Sequence, residues 1–234
     1  MSTVLITGAN RGLGLEFARQ YSTEGWEVIA TARNPKQSEE LQQLAKGKSV
    51  SLQVLDVASD DSVKHLAKVL KGRPVDLLIL NSAIFTRDGN KLGELNFAGW
   101  RESFETNVLG AVRVAEALIE NVAASKRKQI VAISTGMGSL QTLDATIGFG
   151  SAYQYRSSKA ALNMVMSILA KDVEPQGISV LIFSPGWVQT DMGGPNAVLT
   201  PEQSIAGMRK VLEGNPPMEL TGKFLSYDGS TWPW

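Results

Sequence analysis

The residues TVLITGANRGLG at positions 3–14 carry the strongest indication of how this chain folds. They join an apolar, β-branched run to a turn with Gly8, Gly12 and Gly14 in the spacing G-x-x-x-G-x-G. Glycines directly after a strand permit a tight turn and close approach of the backbone to a ligand, and the helix that follows offers N–H groups to a pyrophosphate. This pattern predicts a strand, a nucleotide-binding turn and a helix.

The same alternation of strand and helix patterns continues along the rest of the chain. The predicted strands lie at 3–7, 27–31, 50–56, 75–80, 129–134, 179–183 and, more weakly, 223–227. The predicted helices lie near 13–24, 36–46, 60–71, 97–124, 152–173 and 201–213. Because the inner strands lack polar alternation, we expect helices on both faces of the sheet. The sequence therefore predicts an α/β fold, doubly wound around a mostly parallel seven-stranded sheet, in a single domain spanning residues 1–234.

The composition argues against several functional classes. The 23 basic and 23 acidic residues balance, which argues against binding to nucleic acid or to an anionic membrane surface. No apolar run reaches the roughly 18 residues of a membrane helix, and the strand-like run at the start leaves no room for a signal peptide. The chain has no cysteine and a single histidine, His65, so we expect no metal site and a cytoplasmic location.

The end of the second predicted strand bears on which nucleotide is bound. Doubly wound sheets bind ligands beyond the carboxyl ends of their strands, and an acidic residue after the second strand usually binds the ribose 2′-hydroxyl of NAD. This chain has Ala32 and Arg33 there, and Arg11 lies in the glycine turn. Since arginine binds phosphate through a rigid fork of donors, the two guanidinium groups predict a 2′-phosphate and hence NADPH. The alternative is that both arginines are simply solvated.

Polar residues also follow the third and fourth predicted strands. Asp56 is expected either to accept a hydrogen bond from the adenine amine or to cap the next turn. Asn81 is expected to hold the loop around the adenine ribose, and Ala83, which follows the same strand, is expected to be part of the cofactor site. The predicted cofactor site also includes four neighbours in these turns, which are Asn10, Leu13, Val57 and Ser82.

Four motifs occur together in this sequence. They are T-G-x-x-x-G-x-G at 7–14, Asn107 in TNVLG, Tyr155-x-x-x-Lys159, and SPGWVQTDM after the sixth strand. Together they resemble the short-chain dehydrogenase/reductase family over nearly the whole chain. GMGSL, YRSSKAALNMV, PGWVQTDMGGP and the terminal PW are most similar to its C-factor (C-signal-like) and carbonyl-reductase branch. The resemblance implies a Rossmann-type fold and an NADPH-dependent oxidoreductase that acts on a small carbonyl or alcohol.

The resemblance also implies catalytic roles for Asn107, Thr135, Tyr155 and Lys159. Tyr155 would be the acid that protonates a carbonyl oxygen during reduction, or the base in the reverse reaction. A free phenol, with a pKa of about 10, is a poor base at neutral pH. Lys159 lies one helical turn further on, and its charge is expected to favour the phenolate. In the family the lysine also binds the nicotinamide ribose, and Asn107 anchors a water in the proton relay.

The substrate-orienting hydroxyl of the family is normally a serine, at a position occupied here by Thr135. Ser139, in GMGSL, is the second candidate for this role. For both hydroxyls the alternative is a hydrogen bond within the loop. Ile84 replaces a glycine of the family pattern and brings a bulky side chain close to the cofactor's path.

The loop after the sixth strand is expected to complete the nicotinamide end of the site. By resemblance, Pro185 and Gly186 open the nicotinamide side. The Val188 backbone would hold the carboxamide and Thr190 the pyrophosphate.

Three further expectations concern function and assembly. A cofactor-binding signalling or regulatory protein of the same fold is the main alternative, suggested by Ile84 and Thr135, whereas sugar-nucleotide epimerisation would ordinarily need a longer chain. Family members commonly pair through helices such as 97–124 and the one with Tyr155, so a homodimer or homotetramer is expected. Tyr153 is followed four residues later by Ser157, which carries no charge, so a core or interface role is predicted for it.

Overall fold

The structure, a computed structural model, describes residues 1–47, 49–146 and 150–234. Its strands are β1 (Thr3–Ile6), β2 (Glu27–Ala32), β3 (Val50–Val54), β4 (Leu77–Leu80), β5 (Gln129–Ile133), β6 (Ser179–Ser184) and β7 (Phe224–Ser226). They form one seven-stranded sheet in the order β3-β2-β1-β4-β5-β6-β7, and every neighbouring pair is parallel. The predicted doubly wound fold is confirmed, and these strands are all parallel rather than mostly parallel.

Two of the predicted helices are divided in the structure, and the short helices Leu143–Thr146 and Pro217–Leu220 were not predicted. They are α1 (Gly12–Thr23), α2 (Glu39–Leu44), α3 (Asp60–Val69), α4 (Phe97–Phe104), α5 (Gly110–Ala117), α6 (Ile119–Ala123), α7 (Leu143–Thr146), α8 (Tyr153–Val173), α9 (Pro201–Gly214) and α10 (Pro217–Leu220). The single helix predicted at 97–124 is instead α4, a π-helical turn at Glu105–Leu109, α5 and α6. The helix predicted at 36–46 is divided by Ser38, which follows a 3-10 turn at Pro35–Gln37 and caps α2.

The strands have an apolar core on each face of the sheet. Successive strand residues point to opposite faces, so Leu5 and Ile6 belong to different cores. The core containing Leu5 includes residues of α3, α5 and α8, and the core containing Ile6 includes residues of α1 and α9. This two-sided burial explains the unbroken apolar runs of the inner strands.

The sheet order places a cleft beyond the carboxyl ends of the strands. The chain moves outward in one direction from β1 to β3 and in the other from β4 to β7, so β1 and β4 border the switch point. The connections after β1, β2, β4, β5 and β6 surround an open cleft of ≈ 1780 Å³. In the described part of the chain, no helix has the combination of length and apolar character that crossing a bilayer requires.

Candidate active site

The glycine turn after β1 forms one wall of the cleft. Gly8 and Gly12 have φ angles of 66° and 53°, in the left-handed region that side chains with a Cβ rarely adopt. A Cβ added to Gly14 would lie 2.2 Å from the Gly8 carbonyl oxygen, so only glycine lets α1 start this close to the turn. The backbone of the turn is therefore open to a ligand, as a pyrophosphate site requires.

Thr7 and Asn81 fasten this turn to the end of β4. The Thr7 hydroxyl accepts hydrogen bonds from the backbone N–H groups of Asn81 and Ser82, at 2.9 and 3.0 Å. The Asn81 side chain in turn donates to the carbonyl oxygens of Thr7 and Gly8, at 2.9 and 3.2 Å. Asn81 thus holds the glycine turn itself, and Thr7 is a supporting residue that the glycine spacing alone does not identify.

The predicted 2′-phosphate region contains one free and one paired arginine among the described residues. Arg33 is exposed at the end of β2 and lines the cleft with Ala32. Arg11 also lines the cleft, but its guanidinium forms an exposed ion pair with Asp191 at 2.8 Å. An exposed pair of this kind contributes little free energy, so Arg11 can exchange its partner for a phosphate. Ser38, which the sequence did not indicate, donates to the Asn10 carbonyl oxygen at 2.7 Å.

Asp56 has the local role that was its second predicted possibility. Its carboxylate accepts a hydrogen bond from the Ala58 backbone N–H at 3.0 Å, which closes the turn after β3. Asp56 and Val57 both line the cleft. The adenine contact of Asp56 stays a prediction.

Tyr155 and Lys159 lie on one face of α8 and both line the cleft. The Lys159 ammonium donates to the carbonyl oxygen of Ile133, the last residue of β5, at 2.8 Å. The Lys159 nitrogen is 5.9 Å from the centre of the Tyr155 ring, and the Phe85 ring also packs against Tyr155, with ring centres 4.9 Å apart. The spacing along the helix and the bond to β5 therefore fix both functional groups beside the strand ends.

Burial dominates the acid–base properties of this pair. It raises the pKa of the Tyr155 phenol to about 12 and lowers the pKa of the Lys159 ammonium to about 7. The expectation that Lys159 lowers the phenol pKa is therefore wrong for this structure, because desolvation disfavours both charged forms. A protonated Tyr155 at neutral pH is suited to donating a proton.

Asn107 connects the π-helical turn to the neighbouring elements. Its side-chain oxygen accepts from the Ile84 N–H at 2.8 Å, and its amide group donates to the Ile84 carbonyl at 3.0 Å. The same amide group donates to the Ser158 hydroxyl at 3.0 Å, and Ser158 donates to the Tyr155 carbonyl at 2.8 Å. The widened turn thus lets one buried side chain hold the β4 loop against the helix that carries Tyr155.

The two candidate substrate hydroxyls have different surroundings. Thr135 lines the cleft after β5, and its hydroxyl accepts from the Met137 N–H at 3.2 Å. Ser139 is buried, and its hydroxyl donates to the Trp234 carbonyl at 2.8 Å. Ser139 is therefore wrong as a substrate-binding residue, because its hydroxyl serves the chain terminus. Thr135 remains the candidate.

Residues from the C-terminal part of the chain complete the lining of the cleft near Gly136 and Gly12. Trp232 lines it and packs against Gly136, where an added Cβ would lie 2.3 Å from the indole ring. After β6, the side chain of Thr190 packs against the glycine turn and would lie 3.3 Å from a Cβ at Gly12. The terminal PW was noted only as a motif, so the position of Trp232 in the cleft could not be inferred from it.

Most residues of the predicted site meet at this cleft. Those that line it are Gly8, Asn10, Arg11, Gly12, Leu13, Ala32, Arg33, Asp56, Val57, Asn81, Ser82, Ala83, Thr135, Tyr155, Lys159, Pro185, Gly186, Val188 and Thr190. Gly14, Asn107 and Ser139 are buried behind it. The sequence also predicts that the substrate pocket is lined by the segments at 84–95, 136–150 and 187–200. Of these, residues 147–149 lie outside the described residues.

An all-parallel, doubly wound sheet with a glycine turn at its switch point and a tyrosine–lysine helix beside it defines a dinucleotide-binding α/β protein. Residues 2–197 match the short chain dehydrogenase family, and the chain belongs to this family.

Individual relatives agree with the predicted branch. The chain is 38% identical to C-signal of Myxococcus xanthus over 161 residues, which cover 69% of this chain and 93% of that protein. It is 34% identical over 240 residues, the full length of both chains, to the 1-hydroxy-2-glutathionyl-2-methyl-3-butene dehydrogenase of Rhodococcus sp. (strain AD45). Its fold matches the NADPH-bound carbonyl reductase from chicken fatty liver with a TM-score of 0.91 and 31% identity, over 100% of this chain and 99% of the other. The predicted resemblance to the C-factor and carbonyl-reductase branch is confirmed.

Proposed function

We propose that this chain is an NADPH-dependent oxidoreductase that transfers a hydride between the nicotinamide and a small carbonyl or alcohol substrate, as a single domain over residues 1–234. The observation that carries the proposal is the placement of Tyr155 and Lys159, on one face of α8, in the same cleft as the glycine turn. The carbonyl reductase with the same fold was solved with NADPH bound, which supports the choice of cofactor.

The residues of the cleft fit a dinucleotide phosphate. The left-handed Gly8 and Gly12 leave the backbone at these two positions free of side chains, and α1 begins directly at Gly12 with its positive end toward the cleft. Arg33 and Arg11 supply positive charge for the 2′-phosphate, and Thr190 lies against the turn for the pyrophosphate. When bound, NADPH supplies the hydride.

The chain's own residues supply the proton and the orientation. Tyr155 holds a proton on its phenol oxygen at neutral pH, because burial keeps its pKa at about 12. The proton passes from this oxygen to the carbonyl oxygen of the substrate during reduction. In this proposal Lys159, held by the Ile133 carbonyl, binds the nicotinamide ribose, and Thr135, which lines the cleft, offers a second hydroxyl to the substrate oxygen. Phe85 packs on the Tyr155 ring and supports its position.

The direct test of this proposal is turnover with a panel of carbonyl compounds. Purified protein is mixed with NADPH and aldehydes and ketones of increasing size, and NADPH consumption is followed by absorbance. We expect consumption that depends on both the protein and the carbonyl compound. Tight NADPH binding without turnover of any compound, in either direction, would contradict the oxidoreductase proposal.

The raised pKa of Tyr155 predicts different pH profiles for the two directions. Reduction uses the protonated phenol, which is fully present below its folded-state pKa of about 12. Alcohol oxidation with NADP⁺ uses the phenolate, whose fraction increases with pH. We therefore expect kcat/KM for oxidation to rise continuously from neutral pH to about pH 10. Over the same range the phenol stays almost fully protonated, so its titration should cause no matching fall in kcat/KM for reduction. An oxidation profile that is flat over this range would contradict the assignment of Tyr155 as the base.

Substitutions of Thr135 test whether its hydroxyl orients the substrate. Thr135→Ser keeps the hydroxyl, so we expect kcat within about threefold of wild type, whereas Thr135→Val should lower it by about a hundredfold. The NADPH dissociation constant should be unchanged in both variants. If the valine variant keeps wild-type turnover, the hydroxyl serves only the loop bond to Met137.

A cofactor-binding signalling protein is the second candidate. Its support is the 38% identity to a protein named C-signal. The two candidates differ in whether carbonyl compounds are reduced at the expense of NADPH. A signalling protein would bind NADPH but would need no proton donor. The cleft position of Tyr155 and Lys159 favours the enzyme.

We also propose that the chain forms a homodimer or homotetramer through α4 and α8 in the cytoplasm. Met164 and Ile168 are 64% and 53% exposed on one face of α8. On the adjoining α4, the rings of Phe97 and Trp100 stack with centroids 6.0 Å apart, and Trp100 approaches Tyr153 at 6.1 Å. Exposed apolar side chains grouped on neighbouring helices are typical of an interface.

Light scattering tests this assembly. We expect two or four times the monomer mass of 25.2 kDa at micromolar concentration. Ile168→Glu should shift the mass toward the monomer because it places a charge in the interface. Leu92→Glu, at an apolar residue that is 79% exposed elsewhere, should not. A wild-type protein found only as monomer would refute the proposal.

A further inference from the structure

Arg156 follows Tyr155 on α8 and is buried, with 7% of its surface exposed. Its guanidinium donates to the Gly150 carbonyl at 3.1 Å, to the Thr146 hydroxyl at 2.9 Å, to the Thr146 carbonyl, and more weakly to the Met137 carbonyl at 3.4 Å. Within residues 1–47, 49–146 and 150–234 it pairs with no carboxylate, and burial lowers its pKa. Burying an uncompensated charge is costly, so these bonds need a reason beyond stability.

The bonds of Arg156 converge on one wall of the cleft. We call residues 136–146 the wall segment. Met137 and Thr146, at its two ends, both line the cleft. The Met137 N–H also donates at 3.2 Å to the hydroxyl of Thr135, which is the candidate for orienting the substrate. A single guanidinium thus fastens both ends of this wall to the helix that carries the catalytic phenol.

The chain that enters α8 is also constrained. Ala152 has a φ of 40°, in the left-handed region that a residue with a Cβ rarely adopts. Its carbonyl oxygen accepts the Arg156 backbone N–H at 2.9 Å. Strain of this kind persists only where the surrounding contacts over-determine the backbone, and Arg156 supplies two such contacts, through its backbone N–H to Ala152 and through its guanidinium to the Gly150 carbonyl.

We infer that Arg156 is a positioning residue that fixes the wall segment relative to Tyr155 and so determines which carbonyl compounds fit beside the phenol. The part that concerns substrates rests on the proposed function. Arginine is required because its planar fork reaches several carbonyl oxygens in fixed directions, whereas the ammonium of lysine is a point charge on a flexible stem.

The test compares Arg156→Lys with Arg209→Lys. Arg209 is a matched control because it is also 7% exposed, but it lies on α9 and is paired with Glu24 and Glu213. For Arg156→Lys we expect KM for a bulky aromatic ketone to rise about tenfold or more, with kcat, the KM of a small aldehyde and NADPH affinity within about threefold of wild type. For Arg209→Lys we expect no change in the ratio of the two KM values.

Hydrogen exchange gives a measurement that does not depend on turnover. In Arg156→Lys the Thr146 amide, which donates to the Thr142 carbonyl, should exchange faster than in wild type and in Arg209→Lys. If Arg156→Lys does not fold, Thr146→Val removes one of the bonds and should shift KM and exchange in the same direction. The inference would be overturned if Arg156→Lys left amide exchange and both KM values unchanged. It would also be overturned if KM rose equally for both substrates and NADPH affinity fell with it. If the Thr146 amide exchanges faster in Arg156→Lys but the wild-type protein reduces no carbonyl compound, the role of Arg156 in fixing the wall segment would stand and the proposed function would be refuted.

Discussion

Tyr155→Phe should lower kcat for carbonyl reduction by about a hundredfold to ten-thousandfold, the usual contribution of a general acid. Phenylalanine keeps the ring that packs on Phe85, so the fold and the cleft should be unchanged. It has no proton to give to the substrate oxygen, and the Lys159 ammonium is held by the Ile133 carbonyl instead. NADPH affinity should therefore stay within about threefold of wild type while turnover is lost.

The matched control for this prediction is Tyr153→Phe. Tyr153 lies two residues earlier, is 37% exposed and contacts Trp100 on the outer face of α8. Its phenol is outside the cleft, so removing the hydroxyl should leave kcat within about twofold of wild type. A Tyr155→Phe variant that keeps more than about a tenth of wild-type kcat, a barrier change under roughly 1.4 kcal/mol, would remove Tyr155 from the mechanism.

The parts of the site that the sequence predicted are those governed by local rules. The glycine turn is specified by φ angles at Gly8 and Gly12 that follow from residue type. Tyr155 and Lys159 share a face because residues four apart on a helix always do. The sheet was predictable for the same reason, since apolar runs and turn residues identify strands one at a time.

The parts that were missed depend on contacts between distant residues. The ion pair of Arg11 with Asp191, which is 180 positions away, could not be foreseen from the sequence. Ser139 was a substrate candidate because it follows β5, and only the folded chain shows its hydroxyl bonded to Trp234, 95 positions later. The division of the helix predicted at 97–124 has the same origin, since Asn107 lies in the π-helical turn and bonds to Ile84 across the fold.

The acid–base behaviour of the site was missed for a different reason. The spacing of Tyr155 and Lys159 indicates that two charges are close, but it says nothing about how dry their surroundings are. In the structure Lys159 is 2% and Tyr155 8% exposed, and desolvation by burial is the cause of both pKa shifts. The sequence therefore predicted that the two groups share a helix face, but it gave no sign of the desolvation that raises the phenol pKa.

Ala32→Asp should reverse the preference from NADPH to NADH. Ala32 is the last residue of β2, lines the cleft and is followed by the exposed Arg33. A carboxylate at this position would repel the 2′-phosphate, and like charges placed together cost several kcal/mol, so we expect the NADPH dissociation constant to rise about a hundredfold or more. The same carboxylate can accept the ribose 2′-hydroxyl, so NADH should bind more tightly than to wild type.

Two further variants separate charge from shape in this prediction. Ala32→Asn adds a side chain of almost the same size without the negative charge, so it should weaken NADPH binding far less than Ala32→Asp. Arg33→Gln removes a donor to the phosphate without adding repulsion. It should weaken NADPH binding while leaving NADH binding nearly unchanged.

Dissociation constants from the quenching of protein fluorescence, measured for both cofactors at low and high salt, decide between these effects. If the wild type binds NADPH and NADH equally, or if Ala32→Asn and Ala32→Asp lose NADPH affinity to the same degree, Arg33 and its neighbour do not select the cofactor by charge. Selectivity that diminishes as salt is raised would instead identify the 2′-phosphate contact as electrostatic.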